Sequence, residues 1–310
     1  MSIVEKAPQL PYSYDLHQAS RFGMATSQDP QLIMSPLNFA HCIIKKNTIN
    51  KYSPLTMANW LEEFANKSNF FLLKAIKKII NINEPEYKRL EIDIKILLSM
   101  GKFFAFKIKS ACYWELYLKT KNHSIGLFAL KLYNKSLIAW SKASDIAKKY
   151  YLKDLTYGPQ SWLRGRWDDR VPAIKQDLFK MENILMNHKS KNNNFKFKGI
   201  IKNWKNDQQF KIDHIINIKK NGNIEFFLNY KKKYINKIFI NFRNVNQSYK
   251  WRRQKIVFKD KKFIGKISKN YINNQYPIQY YFELVDNNIS FFCPGINKNL
   301  SNQPYYVINI

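Results

Sequence analysis

Tyr150-Tyr151-Leu152-Lys153-Asp154-Leu155-Thr156-Tyr157-Gly158-Pro159-Gln160-Ser161-Trp162-Leu163-Arg164-Gly165-Arg166-Trp167-Asp168-Asp169-Arg170-Val171-Pro172-Ala173-Ile174 divides two kinds of sequence. No other stretch of the chain packs Trp, Arg, Asp, Gly and Pro so densely. Before it the apolar residues recur at helical spacing. After it, beyond one more helix, they fall into short runs typical of strands.

Reading outward toward the N-terminus, Ser124 to about Tyr150 carries Leu127, Leu130, Leu132, Leu137, Ala139, Trp140 and Ile146 at helical spacing. Before it, Glu86 to about Lys119 contains no proline and a single glycine, Gly101, with a stripe that includes Leu90, Ile94, Leu97, Leu98, Ile108 and Leu116. Ser53-Pro54 reads as an N-cap followed by proline in the first helical position, opening a helix that runs to about Asn81. Ser35-Pro36 repeats that signal. The proline-punctuated start, with Pro8, Pro11 and Pro30, reads as irregular. A fourth long helix opens at Pro172, capped by Asp169 or a neighbour, and ends near Asn187. Short turns between long helices imply antiparallel neighbours, hence an antiparallel helical bundle.

Reading toward the C-terminus, His188–Asn194 is polar and aperiodic and begins a linker. Beyond it come aromatic and β-branched runs: Phe226–Tyr230, Lys237–Arg243, Gln254–Phe258, Lys262–Ile267, Ile278–Leu284 and Tyr305–Ile308, separated by turns such as Asn221-Gly222-Asn223. Short strands at this spacing predict a β-sandwich. The expected organisation is α+β and multidomain: residues 1–187 an α-helical bundle domain with an irregular start, 188–207 a linker, and 208–310 an immunoglobulin-like β-sandwich.

Composition bounds the function. Of 310 residues, 45% are hydrophobic and 15% aromatic, enough for packed cores and too many for a disordered polyelectrolyte. The net charge of +30 would ordinarily point to nucleic acid. Lys, Asn and Ile are overused together, however, and only 9 residues are Gly. That pattern follows A/T-rich codon usage and spreads lysine over the chain instead of clustering it. Either origin leaves a chain that binds polyanions non-specifically. Cys42, Cys112 and Cys293 are far apart, lack metal spacing and predict buried thiols. No apolar run reaches membrane-span length and no signal peptide is visible, so the default compartment is cytoplasmic.

The segments Ile238–Arg243, Trp251, Phe263–Ile267, Pro277–Leu284 and Pro304–Val307 resemble the immunoglobulin or fibronectin-III-like modules appended to bacterial carbohydrate-active and cell-surface proteins. Tyr157-Gly158-Pro159 and Leu163–Ile174 are similar to helical regions that follow the catalytic barrel in large glycoside hydrolases. Together these resemblances imply the C-terminal accessory region of a larger carbohydrate-active protein, with a covalently or non-covalently associated catalytic domain as partner. They do not imply hydrolase activity in this chain, because no barrel precedes these segments.

The candidate ligand-binding residues are Tyr157, Trp162, Arg164, Arg166, Trp167, Asp168, Asp169 and Arg170. Aromatic faces with polar edges and planar guanidinium donors are what a sugar requires, so the expected ligand is a glycan. A glycosidase acid–base pair usually comes from different elements facing each other across the bond. Adjacent Asp168 and Asp169 fit an Arg–Asp network that fastens the loop better. Trp162 and Trp167 are expected to be mostly buried, and at least one of Arg164, Arg166 and Arg170 to pair with Asp168 or Asp169. His17 and His41 could share a metal, but two ligands fall short of a site. Neither a metal nor any other cofactor is expected, since no Walker, G-x-G-x-x-G, H-E-x-x-H or G-x-S-x-G motif occurs. The favoured function is a non-catalytic, carbohydrate-related accessory or binding protein. A basic nucleic-acid-binding protein, and a hydrolase with its site near the Trp/Arg loop, remain the alternatives.

Overall fold

The computed structural model describes residues 33–45, 51–155, 164–187, 211–230, 237–246, 248–259, 262–273, 275–286, 289–297 and 301–309. The chain divides into two compact units, Met1–Lys45 with Ser53–Ile201, and Lys46–Tyr52 with Lys202–Ile310. The linker expected at 188–207 lies outside the described residues.

Among the described residues the first unit packs five helices: α1 (Pro36–Lys45), α2 (Pro54–Ile76), α3 (Pro85–Thr120), α4 (His123–Tyr150) and α5 (Val171–Asn187). Both Ser-Pro signals act as caps. Ser35 Oγ accepts from the Asn38 N–H at 3.2 Å, and Ser53 Oγ from the Thr56 N–H at 3.0 Å. Helix α2 stops at Ile76, short of the expected Asn81. Beyond it Ile80 and Ile82 are exposed, with no apolar surface to reward further helix. Helix α3 has 36 residues and is about 54 Å long at 1.5 Å per residue. Lys121 in the left-handed conformation (φ 54°) ends it, and the Asn122 side chain then caps α4 by accepting from Ile125 N–H at 3.2 Å. So tight a connection folds α4 back along α3. Helix α3 also packs on α2 and α1, and α5 lies on α4. Gly126 lets α4 and α5 approach closely, since an added Cβ would sit 2.3 Å from Leu185 Cδ2. Phe103, Trp114, Tyr117, Ile125, Tyr133 and Ile174 fill the interior.

Among the described residues the second unit has nine strands: β1 (Asp213–Ile218), β2 (Ile224–Asn229), β3 (Lys237–Asn244), β4 (Arg252–Lys255), β5 (Val257–Lys259), β6 (Lys262–Ile267), β7 (Ile278–Asp286), β8 (Ile289–Cys293) and β9 (Tyr306–Ile308). They form two antiparallel sheets, β1-β2-β6-β5 and β4-β3-β7-β8, with β9 continuing along the same edge of β7 as β8. One hydrophobic core takes residues from both sheets, so they face each other as a sandwich. The strand order is that of the immunoglobulin fold, with β1-β2-β6-β5 in the positions of A-B-E-D and β3-β7-β8 in those of C-F-G. Antibody domains join B and F by a disulfide. Here Phe226 on β2 meets Tyr280 and Phe282 on β7, with ring centroids 5.0 and 6.1 Å apart.

The single strand expected over Gln254–Phe258 is two strands in different sheets. Its middle residue, Ile256, turns into the core and its N–H donates to Ile238 O at 2.9 Å, while β4 and β5 remain exposed on either side. The chain therefore changes sheets at Ile256. Strands β1 and β8 were not expected from the sequence pattern. Tyr52 comes from far earlier in the chain yet belongs to this unit. Its ring lies 4.9 Å from that of Phe292, and its hydroxyl accepts from Ile296 N–H at 3.0 Å.

Candidate functional site

The aromatic, arginine-rich stretch links α4 to α5 and is fastened by its own carboxylates. Leu155 N–H donates to Gly165 O at 3.1 Å, closing the base of the loop. Gly165 holds φ 104°, a conformation that glycine adopts without strain. Asp154 accepts from the Arg164 guanidinium and from Gly165 N–H at 3.2 Å. Next comes a 3-10 turn, Trp167–Arg170, which runs directly into α5. Asp169 Oδ2 accepts from Arg166 N–H at 2.6 Å and so caps that turn. Arg166 pairs in bidentate fashion with Asp168, with Nε on Oδ1 and NH2 on Oδ2 at 2.7 Å. The hydrogen bond from Arg166 holds the Asp168 carboxyl below the usual carboxylate range.

Trp167 is mostly buried, as expected, packed against the cluster of Ile96, Ala143 and Ala147. Its ring packs edge-on against Tyr151 at 5.4 Å, and its carbonyl accepts from Trp140 Nε1 at 2.7 Å. Arg164 is exposed, Arg166 and Arg170 are half-buried, and Asp169 is exposed. The structure therefore brings Arg164, Arg166, Trp167, Asp168, Asp169 and Arg170 together. Tyr157 and Trp162 lie outside the described residues. Two anchors escaped sequence reading: Asp154, the partner of Arg164, and Trp140, which holds the turn from the neighbouring helix. Asp154 stands within the stretch and its charge was visible. Nothing local marks Trp140.

The remaining candidates are separate. His41 sits on α1, and His17 is outside the described residues. Among the described residues no group of three or more His, Cys, Asp or Glu could hold a metal. His214 belongs to the sandwich interior, where it hydrogen-bonds the Tyr280 hydroxyl at 2.7 Å and packs on Phe282 and Tyr306. The three thiols are buried, and burial pushes Cys42 up to about 11.

Two buried polar clusters were not legible in the sequence. In the bundle, Tyr133 on α4 donates to Asp177 on α5 at 2.5 Å. Lys107 on α3 is pushed down to about 8 by burial, with Asp177 opposing the shift. On the sandwich, buried Glu283 accepts from Arg253 at 2.8 and 3.1 Å and from Ser290 at 3.1 Å. The Arg253 guanidinium lies over the Phe239 ring at 3.4 Å.

Fold and site together define the class: a two-part α+β protein, a helical bundle followed by an immunoglobulin-like sandwich. No family model and no curated protein matches the chain. Among solved structures, it is similar to part of a GH138 enzyme targeting pectin rhamnogalacturonan II, at 20% identity and TM-score 0.44, over 49% of this chain and 23% of that one. It is also similar to a carbohydrate-binding module family 56 β-1,3-glucan binding domain, at 13% identity and TM-score 0.21, over 27% of this chain and 92% of that one. The chain thus spans less than a quarter of the length of the GH138 enzyme. Likenesses at these scores carry no argument about what this chain does.

Proposed function

We propose that the chain is a non-catalytic accessory or binding protein with a carbohydrate-related role, and that the Trp167 loop contributes to ligand contact. We also propose that residues 1–187 and 208–310 are separate domains joined by 188–207. The observation that carries the non-catalytic reading is the commitment of the loop carboxylates. Asp168 is held by Arg166, and Asp169 caps the turn. Both are occupied in shaping their own loop, whereas a hydrolase would need them facing each other across a substrate. The ligand reading is supported by a partly exposed Trp167 and an exposed Arg164 in the same loop, an apolar face and a planar donor.

The nucleic-acid alternative draws on the charge and on aromatics interleaved with basic residues, as in Trp251-Arg252-Arg253; lysine is present on each of the described α-helices, which fits a diffuse distribution better than a stripe. No helix among the described residues is long and apolar enough to cross a membrane. The test is glycan-array binding by the intact chain and by Trp167→Ala, in salt of about 0.5 M to suppress non-specific polyanion binding. Loss of a glycan signal in the variant is expected. Equal binding by both would remove the loop from the site, and binding to no glycan would sink the carbohydrate reading.

A further inference from the structure

In the sandwich, antiparallel pairing brings the β1–β2 turn, the β3–β4 connection and the β6–β7 connection to one end. Between them lies a cleft of 780 Å³. Its framework is fixed by asparagines. Asn244, at the end of β3, is 3% exposed. Its Oδ1 accepts from Asn273 N–H at 3.0 Å and its Nδ2 donates to Tyr271 O at 3.2 Å. Asn223 Oδ1 accepts from Lys269 N–H at 3.0 Å, tying the β1–β2 turn to the opposite wall. Asn273 Nδ2 donates to the Tyr249 hydroxyl at 2.8 Å, which orients that ring. These bonds hold the cleft in shape, so little ordering is left to oppose a ligand.

What lines the cleft is chemically specific. Tyr249 and Tyr271 are 37% and 43% exposed. Arg252 stacks over the Tyr271 ring at 4.1 Å, which immobilises its planar fork and leaves the N–H edges for a partner. Lys269 adds a second positive charge, and among the described residues none of those lining the cleft is acidic. The nearest acidic side chain on β2, Glu225, is paired with Lys219 at 3.2 Å.

We infer that this cleft binds a carboxylated oligosaccharide, a reading that rests on the carbohydrate role proposed above. The exposed ring of Tyr249, and the part of Tyr271 that Arg252 leaves uncovered, suit the C–H faces of pyranose rings. The Asn270 amide on the cleft wall can both donate and accept, as hydroxyls require, and a guanidinium fork matches a carboxylate in bidentate fashion. Single-stranded nucleic acid asks for something different: a groove that tracks the backbone, past ring after ring, lined by donors for phosphate oxygens that only accept. A bounded cleft that sets two tyrosine rings and an amide beside one guanidinium fits the sugar.

The experiment titrates the intact chain with trigalacturonate, a hyaluronan tetrasaccharide, the methyl ester of trigalacturonate and a single-stranded thymidine oligonucleotide, each at about 0.5 M salt to screen diffuse charge. Variants are Tyr271→Ala, Arg252→Ala and Arg252→Lys, with Lys262→Ala on β6 as control. The affinity for at least one acidic saccharide should fall about tenfold or more in Tyr271→Ala and Arg252→Ala, and should remain reduced in Arg252→Lys, which keeps charge but loses the fork. The ester should bind more weakly than the acid, and the control should match the parent. Hydroxyl-radical footprinting of the unmodified chain, which requires no variant to fold, should show Tyr249 and Tyr271 protected by that saccharide. Equal affinity for acid and ester, parent-like binding by the cleft variants, absence of footprint protection, or loss of oligonucleotide binding alone would each overturn the inference while leaving a saccharide-binding role intact. Binding of no saccharide at all would overturn both.

Discussion

Single residues in this protein are often committed to structure where their chemistry invites a functional reading. Asp168 and Asp169 look like an acid–base pair and serve as a guanidinium clamp and a turn cap. Glu115 on α3 is a quieter example. It is 5% exposed, and burial raises its carboxyl to about 7, with Lys119 opposing the shift. Below pH 4.5 the carboxyl is neutral in both folded and unfolded chains, and its contribution to stability is complete. As pH rises toward 7 the unfolded chain ionises while the folded one keeps its proton, so stability is lost across that window and then levels off. Replacing Glu115 by Gln should remove this loss, making the variant gain up to about 3 kcal/mol over the parent between acid and neutral pH. Urea unfolding of both chains across that range checks it; parallel pH profiles would contradict the assignment.

Between elements, the contacts that fix the bundle come from residues distant in sequence. Asp177 on α5 and Tyr133 on α4 hydrogen-bond inside the core, with buried Lys107 from α3 beside them, so one cluster joins three helices. Truncating Asp177 to Ala removes the carboxylate charge beside the buried Lys107 ammonium and the Asp177 acceptor of the Tyr133 hydroxyl. The expected loss is about 3–5 kcal/mol. Asp177→Asn should lose less, since the amide oxygen still accepts from Tyr133. Denaturant titration followed by far-UV circular dichroism measures both, and a loss below about 1 kcal/mol for the alanine variant would mean the cluster contributes little. The sheets show the same dependence on long-range placement at Ile256, where one buried residue between exposed neighbours moves the chain from one sheet to the other.

At the scale of the whole molecule, the proposed two-domain organisation has a marker in Tyr52, which is 2% exposed and belongs to the sandwich unit although its neighbour Ser53 caps a helix of the bundle unit. Tyr52→Ala should destabilise the sandwich by about 3–5 kcal/mol and leave the helical transition nearly unchanged. Helix loss read by circular dichroism, set against the fluorescence of Trp251 in the β unit of a chain whose other tryptophans are replaced by Phe, separates the two transitions. A common shift in both would show that the units unfold together and that the division into independent domains is wrong.

Local chemistry by itself determined the element types. Ser35-Pro36 and Ser53-Pro54 opened helices, the long apolar stripes through α3 and α4 made a bundle although Leu90, Leu97 and Leu127 within them stay exposed, and the short aromatic runs made a sandwich. Those signals act over one to a few turns, or along one strand, so one sequence suffices to read them. The break at Ile256, the strands β1 and β8, and the capture of Tyr52 by the sandwich were decided only in three dimensions. So were the Trp140–Trp167 and Lys107–Tyr133–Asp177 contacts and the assembly of three separate connections into the Tyr249–Tyr271 cleft. Each depends on which surfaces meet after the chain folds back on itself, and burial and hydrogen bonding between residues far apart in sequence leave no periodic mark along the chain.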